Sequence, residues 1–246
     1  MTDERSSWQR ATESSYWAEH GENRPAPPTS QPTPPTWQPT ANTPPPPAAP
    51  DFLGLDELVF EQISRTDMHV FDAGGRLAAR IYRDKRWEER KWFAPMVMAV
   101  EDQAGRVPLL IRDPRSIGGA TYDARVPRDG GLTVSIVRET RIFRQNLSVR
   151  VQAQGGGTTG LITDGDPGCR FIQVYPDVGQ PRKRDAMGTP VASVQRESQG
   201  WLKSLGGRYS YRVRMTPSMP RELRLAMVAT TFAIATFRYK QAQTSN

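Results

Sequence analysis

Residues 221–240 read RELRLAMVATTFAIATFRYK, and the fifteen positions from Leu223 to Phe237 are apolar on almost every side of a helix. At 1.5 Å per residue that run extends about 22 Å, short of the ~30 Å hydrocarbon core of a bilayer, and Arg224 interrupts it. Burial within protein is the alternative. Leu223, Leu225, Met227, Val228, Phe232, Ile234 and Phe237 would together contribute on the order of 10–20 kcal/mol before conformational entropy is subtracted. A helix without a polar face needs walls on every face, and Ala226, Ala229, Ala233 and Ala235 let those walls come close. Its ends are marked by Thr216 or Ser218 as cap, Pro217 or Pro220 in the first turn, and Glu222 near the positive end. Arg238 and Lys240 follow in the last turn, so the spacing predicts a helix over 220–240.

The material for the walls lies upstream. LVFEQISRTDMHVFDAGGRLAARIYR (residues 58–83) holds two alternating segments separated by Asp72-Ala73-Gly74-Gly75, the pattern of a hairpin. The pattern recurs with a turn at 102–105 and again at Arg128-Asp129-Gly130-Gly131. Further β-like runs follow at 146–153, 161–163, 170–175, 189–196 and 208–215, with Gly, Pro and Asp between them. Single helical turns are expected near 83–91 and 199–205. So many strands exceed one half-exposed sheet, and closure would remove the edges. The expected fold is mainly β (α+β): a closed antiparallel barrel of about twelve strands over 51–241, enclosing its own C-terminal helix. Residues 242–246 are read as a disordered end.

Residues 25–50, PAPPTSQPTPPTWQPTANTPPPPAAP, are of another kind. Proline removes backbone donors and fixes φ, so residues 1–50 read as a disordered, Pro-rich tail able only to tether. Pro32–Pro35 fits a P-x-x-P pattern, which gives an SH3- or WW-type partner as one reading and a plain linker as the other. The chain of 246 residues has a formal charge of +7, yet residues 1–50 hold three Arg and no Lys against five Asp or Glu. The remainder therefore carries 30 basic against 21 acidic side chains, about +9. A basic surface attracts phosphate, on lipid or on nucleic acid, unless it serves solubility alone. The polar start MTDERSSWQRATESSYWAEH does not read as a secretory leader. Cys169 is the single cysteine, which leaves no intrachain disulfide and no thiolate metal site. The expected location is cytoplasmic, peripheral on the inner face of the cell membrane.

FEQISRTDMHVFDAGGRLAARIYR (60–83), the repeated strand, Asp-x-x-Gly turn and strand units, and the closing GRYSYRVRMTPSMPRELRLAMVATTFAIATFRYK (207–240) resemble the tubby C-terminal-like superfamily. Within it the resemblance is to the phospholipid scramblase family and the plant LURP-one-related proteins, over roughly residues 56–240. It implies binding of anionic phospholipid or phosphoinositide head groups on a basic outer surface, and a link to phospholipid scrambling. The family's calcium segment falls on YSYRVRMTPSMPRE (209–222), where Glu222 is the only acid. Calcium needs six to eight oxygens, so neither calcium nor any other cofactor is expected there. Cys169 alone does not supply the palmitoylated cluster of animal scramblases.

Three stretches carry the candidate contacts. RDKRWEERKWF (83–93) sets Lys85, Arg86, Arg90 and Lys91 beside Trp87 and Trp92, a mixture suited to a membrane interface or to single-stranded nucleic acid. The plainer reading folds the indoles into the core, with Glu88 and Glu89 balancing the cations. PRKRDAMG (181–188) places Arg182, Lys183 and Arg184 on a loop that is either solvated or faces an anion. In GRYSYRVRM (207–215) alternation puts Arg208, Arg212 and Arg214 on one face and Tyr209, Tyr211, Val213 and Met215 on the other. Those arginines suit phosphate, or else pair with carboxylates of neighbouring strands.

QAQGGGTTG (152–160) lacks the lysine and helix of a P-loop, and TDGDPG (163–168) lacks the bidentate Glu of an EF-hand; both read as turns. His69 alternates with Met68 and Val70 as a strand residue does, and no catalytic triad or nucleophile elbow assembles. The expectation is a non-enzymatic, lipid-binding domain. Its rival is an adaptor that uses the barrel surface and tail for protein or nucleic-acid partners.

Overall fold

The computed structural model describes residues 51–88, 95–113, 121–127, 131–141, 144–153, 156–166, 170–179, 187–198 and 209–244. These fall in the second of two units into which the chain divides, Pro47–Asn246. Residues 1–50, Cys169 and the loop 181–186 lie outside the described residues.

Twelve strands form a closed barrel in chain order. They are β1 (Glu57–Gln62), β2 (Asp67–Asp72), β3 (Leu77–Arg83), β4 (Met96–Asp102), β5 (Leu109–Asp113) and β6 (Thr121–Arg125). Then come β7 (Thr133–Arg141), β8 (Arg144–Gln152), β9 (Thr158–Gly165), β10 (Phe171–Pro176), β11 (Ala192–Ser198) and β12 (Tyr209–Met215). Each strand pairs antiparallel with its chain neighbours, and β12 closes on β1 with Leu58 opposite Val213 and Phe60 opposite Tyr211. Closure leaves no free strand edge. The period of two sends Leu58, Phe60 and Gln62 of β1 inward, as it does Met68, Val70 and Asp72 of β2.

Two hairpin turns use one device. In Asp72-Ala-Gly-Gly-Arg76 the Asp72 Oδ1 accepts from Arg76 N–H (2.9 Å), Arg76 Nε donates to Oδ2 (2.8 Å), and Gly75 has φ +78°. Asp102-Gln-Ala-Gly-Arg106 repeats it, with bonds of 2.9 and 2.7 Å and Gly105 at φ +72°. A left-handed residue after the aspartate is what glycine permits at low cost. In the Gly-rich stretch at 152–160, Gln152 ends β8 and Thr158–Gly160 open β9, and between them the Ala153 N–H donates to the Gly157 carbonyl (3.0 Å).

The helix, α1, spans Arg221–Thr244. It runs four residues beyond the expected end at 240, into the segment expected to be disordered. Gln241, Ala242 and Gln243 sustain a helix, and neither Gly nor Pro interrupts them. Every residue from Arg224 to Phe237 is buried, so α1 occupies the barrel interior. Thr230 and Thr231 are accommodated by donating to the carbonyls of Ala226 (2.7 Å) and Met227 (2.8 Å). No helix among the described residues is long and apolar enough to cross a membrane.

Arg224, which breaks the apolar run in the sequence, lies 5% exposed at the mouth where α1 begins. Its guanidinium donates to the carbonyls of Leu55 (2.7 Å), Met219 (3.0 Å), Thr216 and Pro217 (both 3.1 Å), and pairs with Asp56 (2.6 Å). A buried charge is tolerated when its donors are satisfied in this way. Phe232, 1% exposed, packs edge-on to Tyr122 at 6.4 Å between centroids. Phe232→Ala is expected to cost about 3–5 kcal/mol in urea denaturation; a loss below about 1 kcal/mol would contradict its enclosure.

Candidate functional site

Because α1 fills the interior, the openings lie at the rims. At the mouth where α1 begins, a groove of about 890 Å³ runs between the β4–β5 turn, the β6–β7 turn and the helix start. Val107, Pro108, Val126, Pro127, Leu132 and Leu225 supply its apolar wall. Arg86, Arg106 and Arg221 line it with Asp51, Asp102 and Glu222, and Trp87 completes it. Val107 also joins Tyr82 against Val97, Ala99 and Leu110, a second apolar cluster outside the main core.

Each groove arginine has a carboxylate beside it. Asp84 caps the short 3-10 turn Lys85–Trp87 by accepting from Arg86 N–H (3.0 Å), and its carboxylate grips the Arg86 guanidinium with bonds of 2.7–3.1 Å. Arg86 therefore has its pKa raised, chiefly by Asp84, while the Asp84 carboxyl is held below its usual value, chiefly by Arg86. Arg106 pairs with Asp102 and Arg221 with Asp51. These arginines keep side-chain exposures of 76, 66 and 57%, leaving their outer N–H groups toward solvent. Trp87 is among the exposed large apolar residues, at 40%. An apolar wall under a guanidinium rim suits an amphiphile with an anionic head.

Of the expected contact residues, Lys85, Arg86 and Trp87 come together on this one turn. Arg90, Lys91, Trp92, Arg182, Lys183, Arg184 and Arg208 lie outside the described residues. Arg212 and Arg214 are not at the groove. Their strand alternates as expected, with Tyr211, Val213 and Met215 buried, and the arginines form a ladder across three strands on the outer face. Arg212 Nε bonds Glu197 on β11 (2.7 Å), Arg212 Nη1 bonds Glu57 on β1, and Arg214 Nε bonds Glu57 (2.9 Å). The carboxylate-pairing alternative describes these two. Arg214 stays 63% exposed and retains its terminal nitrogens for another acceptor.

Sequence reasoning passed over Arg106 and Arg221. The repeat of Asp-x-x-Gly-Arg marks Arg106 as a held guanidinium, but nothing local brings it to the helix start. His69 sits on β2 with its ring 6.0 Å from Phe71, as its alternation implied. Among the described residues no group of three or more His, Cys, Asp or Glu could hold a metal ion.

No family model matches the chain, and no curated protein matches it. Among solved structures, the crystal structure of a protein from Arabidopsis thaliana is similar over 74% of this chain and 88% of its own, with 12% identity and a TM-score of 0.41.

The ladder carries a pH signature. Hydrogen bonds from Arg214, then Arg212, hold the Glu57 carboxyl below its usual 4.5. A lowered folded pKa contributes stability that is complete above the unfolded value and lost as pH falls through the folded one. Glu57→Gln is expected to lower Tm near neutral pH and to flatten the fall of Tm as pH drops below about 4.5, since the variant has no carboxylate to protonate; parallel wild-type and variant curves would exclude this role.

Proposed function

We propose that the barrel is a scramblase-related, tubby-like domain that binds anionic phospholipid at a membrane surface, through the Lys85–Trp87 turn and the adjoining groove. The observation that carries this reading is a 40%-exposed tryptophan set directly after two cations, at the edge of an apolar groove rimmed by Arg106 and Arg221. An indole favours head-group depth, where its ring is solvated at one end and apolar at the other. Cations beside it meet lipid phosphate, and the excess of positive charge outside residues 1–50 steers the protein to that surface.

The same reading assigns the domain no part in crossing the bilayer. α1 is enclosed, so attachment rests on the outside of the barrel and is reversible and salt-sensitive. A link to scrambling would then be through lipid presentation at the surface, at the inner face of the cell membrane.

The test is sedimentation with phosphatidylserine or phosphoinositide vesicles against phosphatidylcholine vesicles. Each cation near an anionic leaflet is worth about 1 kcal/mol, so Lys85→Ala with Arg86→Ala is expected to weaken binding about 30-fold. Trp87→Ala is expected to weaken it further, and binding is expected to decline as salt rises. Equal binding to anionic and neutral vesicles removes the electrostatic reading. Capture of a stable protein partner without vesicle binding favours an adaptor.

A further inference from the structure

The opposite mouth, where α1 ends, has different chemistry. The interior is apolar along most of its length, but its last layer holds Gln62, Asp113, Tyr122 and Arg138, and Arg65 reaches in from the β1–β2 turn. Asp113, 1% exposed, accepts from Lys240 Nζ (2.7 Å) and lies 3.5 Å from Arg65 Nη2. Lys240 also reaches the Tyr122 hydroxyl (3.3 Å), and the Tyr122 ring packs edge-on to Phe237 at 4.9 Å. The Arg138 guanidinium stands 5.2 Å from the centre of the Phe237 ring. Lys240 and Arg65 thus flank the Asp113 carboxylate, and Arg138 stands beside the Tyr122–Phe237 ring pair.

Among the described residues one carboxylate, Asp113, thus stands with the cations Arg65, Lys240 and Arg138 in a setting where water cannot fully solvate a surplus of positive charge. Guanidinium groups do not shed their proton, so the charge stays. Their donors are also unspent. Arg65 Nε and Arg138 Nε are buried without a hydrogen-bond acceptor among the described residues, as are both amide atoms of Gln62, itself 1% exposed, while Arg65 Nη2 faces Asp113 Oδ2 across 3.5 Å, longer than a normal hydrogen bond. A single buried polar atom of this kind is a packing fault; several donors on one layer beside an excess of charge describe a receptor. The α1 carbonyls one turn beyond Lys240 work against an anion, but with only about half a charge, less than one guanidinium.

We propose that this mouth is a binding site for a phosphate-class oxyanion, held by Arg65 and Arg138 with the Gln62 amide. Asp113, neutralised by Lys240, positions Arg65 and does not touch the anion. Unbonded donors from two guanidiniums and an amide at one mouth suit the several oxygens and the charge of a phosphate or phosphate monoester. The Arg65 side chain is 35% exposed, which gives the anion a path from solvent. The groove lies at the other mouth, so this site is independent of the lipid reading above.

The experiment is calorimetric titration of the full chain with inorganic phosphate and, separately, with sn-glycerol 3-phosphate as a soluble head group. Saturable binding is expected, weakened about 10-fold or more in Arg138→Gln. Arg138→Lys is expected to recover part of the loss, and Trp87→Ala to leave binding unchanged. Should Arg138→Gln fail to unfold cooperatively, Arg65→Gln serves in its place, since that side chain is partly solvated. Tighter binding of the glycerol ester identifies a lipid head group as the source, and tighter binding of inorganic phosphate a free ion. Absence of saturable binding of either, or equal affinity in wild type and the Arg variant, overturns the proposal.

Discussion

The structure depends on one reciprocal constraint: α1 has no face it can show to water, and the sheet around it has no edge it can leave open. A helix buried from Arg224 to Phe237 needs walls on all sides, and a twelve-stranded barrel needs something to fill it. The two requirements meet at the β1–β12 seam. Asp56, just ahead of β1, accepts from Met215 N–H at the end of β12 (2.8 Å) and pairs through its side chain with Arg224 of α1. Leu55 and Thr216, flanking the same seam, give their carbonyls to the same guanidinium. Closing the barrel and seating the helix are therefore one event at the level of hydrogen bonds.

A filled barrel has its chemistry at the rims. The side chains that bear charge are gathered at the two mouths and on the outer face, and they differ in how far the fold has already spent them. Arg86, Arg106, Arg212 and Arg214 are each held by a carboxylate at 2.7–2.9 Å or closer, which orients the fork and lowers what it can still offer an anion. Arg138 is held by an aromatic ring instead, and a cation over a π face keeps its N–H donors in plane and available. A charged residue count cannot tell these cases apart, whereas the partner of each guanidinium can.

The elements that were readable before any coordinates are those whose signal is local. The alternation of β1 and β2, the glycines at 75 and 105 and the absence of any charge from 225–237 each state their own conformation. Lys85–Trp87 was readable as a turn with an interfacial composition. What resisted reading was pairing at a distance: Arg212 with Glu57 is separated by 155 residues and Lys240 with Asp113 by 127. Lys240 reads in the sequence as a last-turn cation near the helix end, and in the fold it is buried against Asp113.

By itself, then, the sequence determined the architecture, because period, turn chemistry and all-round apolarity are properties of adjacent residues and admit few ways to be satisfied together. Only the tertiary structure decided which cations are spent and which remain. That outcome depends on where barrel closure brings distant side chains, and on the low dielectric at each mouth, which makes a single misplaced charge costly and a paired one durable. The fifteen residues from Leu223 to Phe237 thus explain the fold, and the charges at their two ends hold the chemistry.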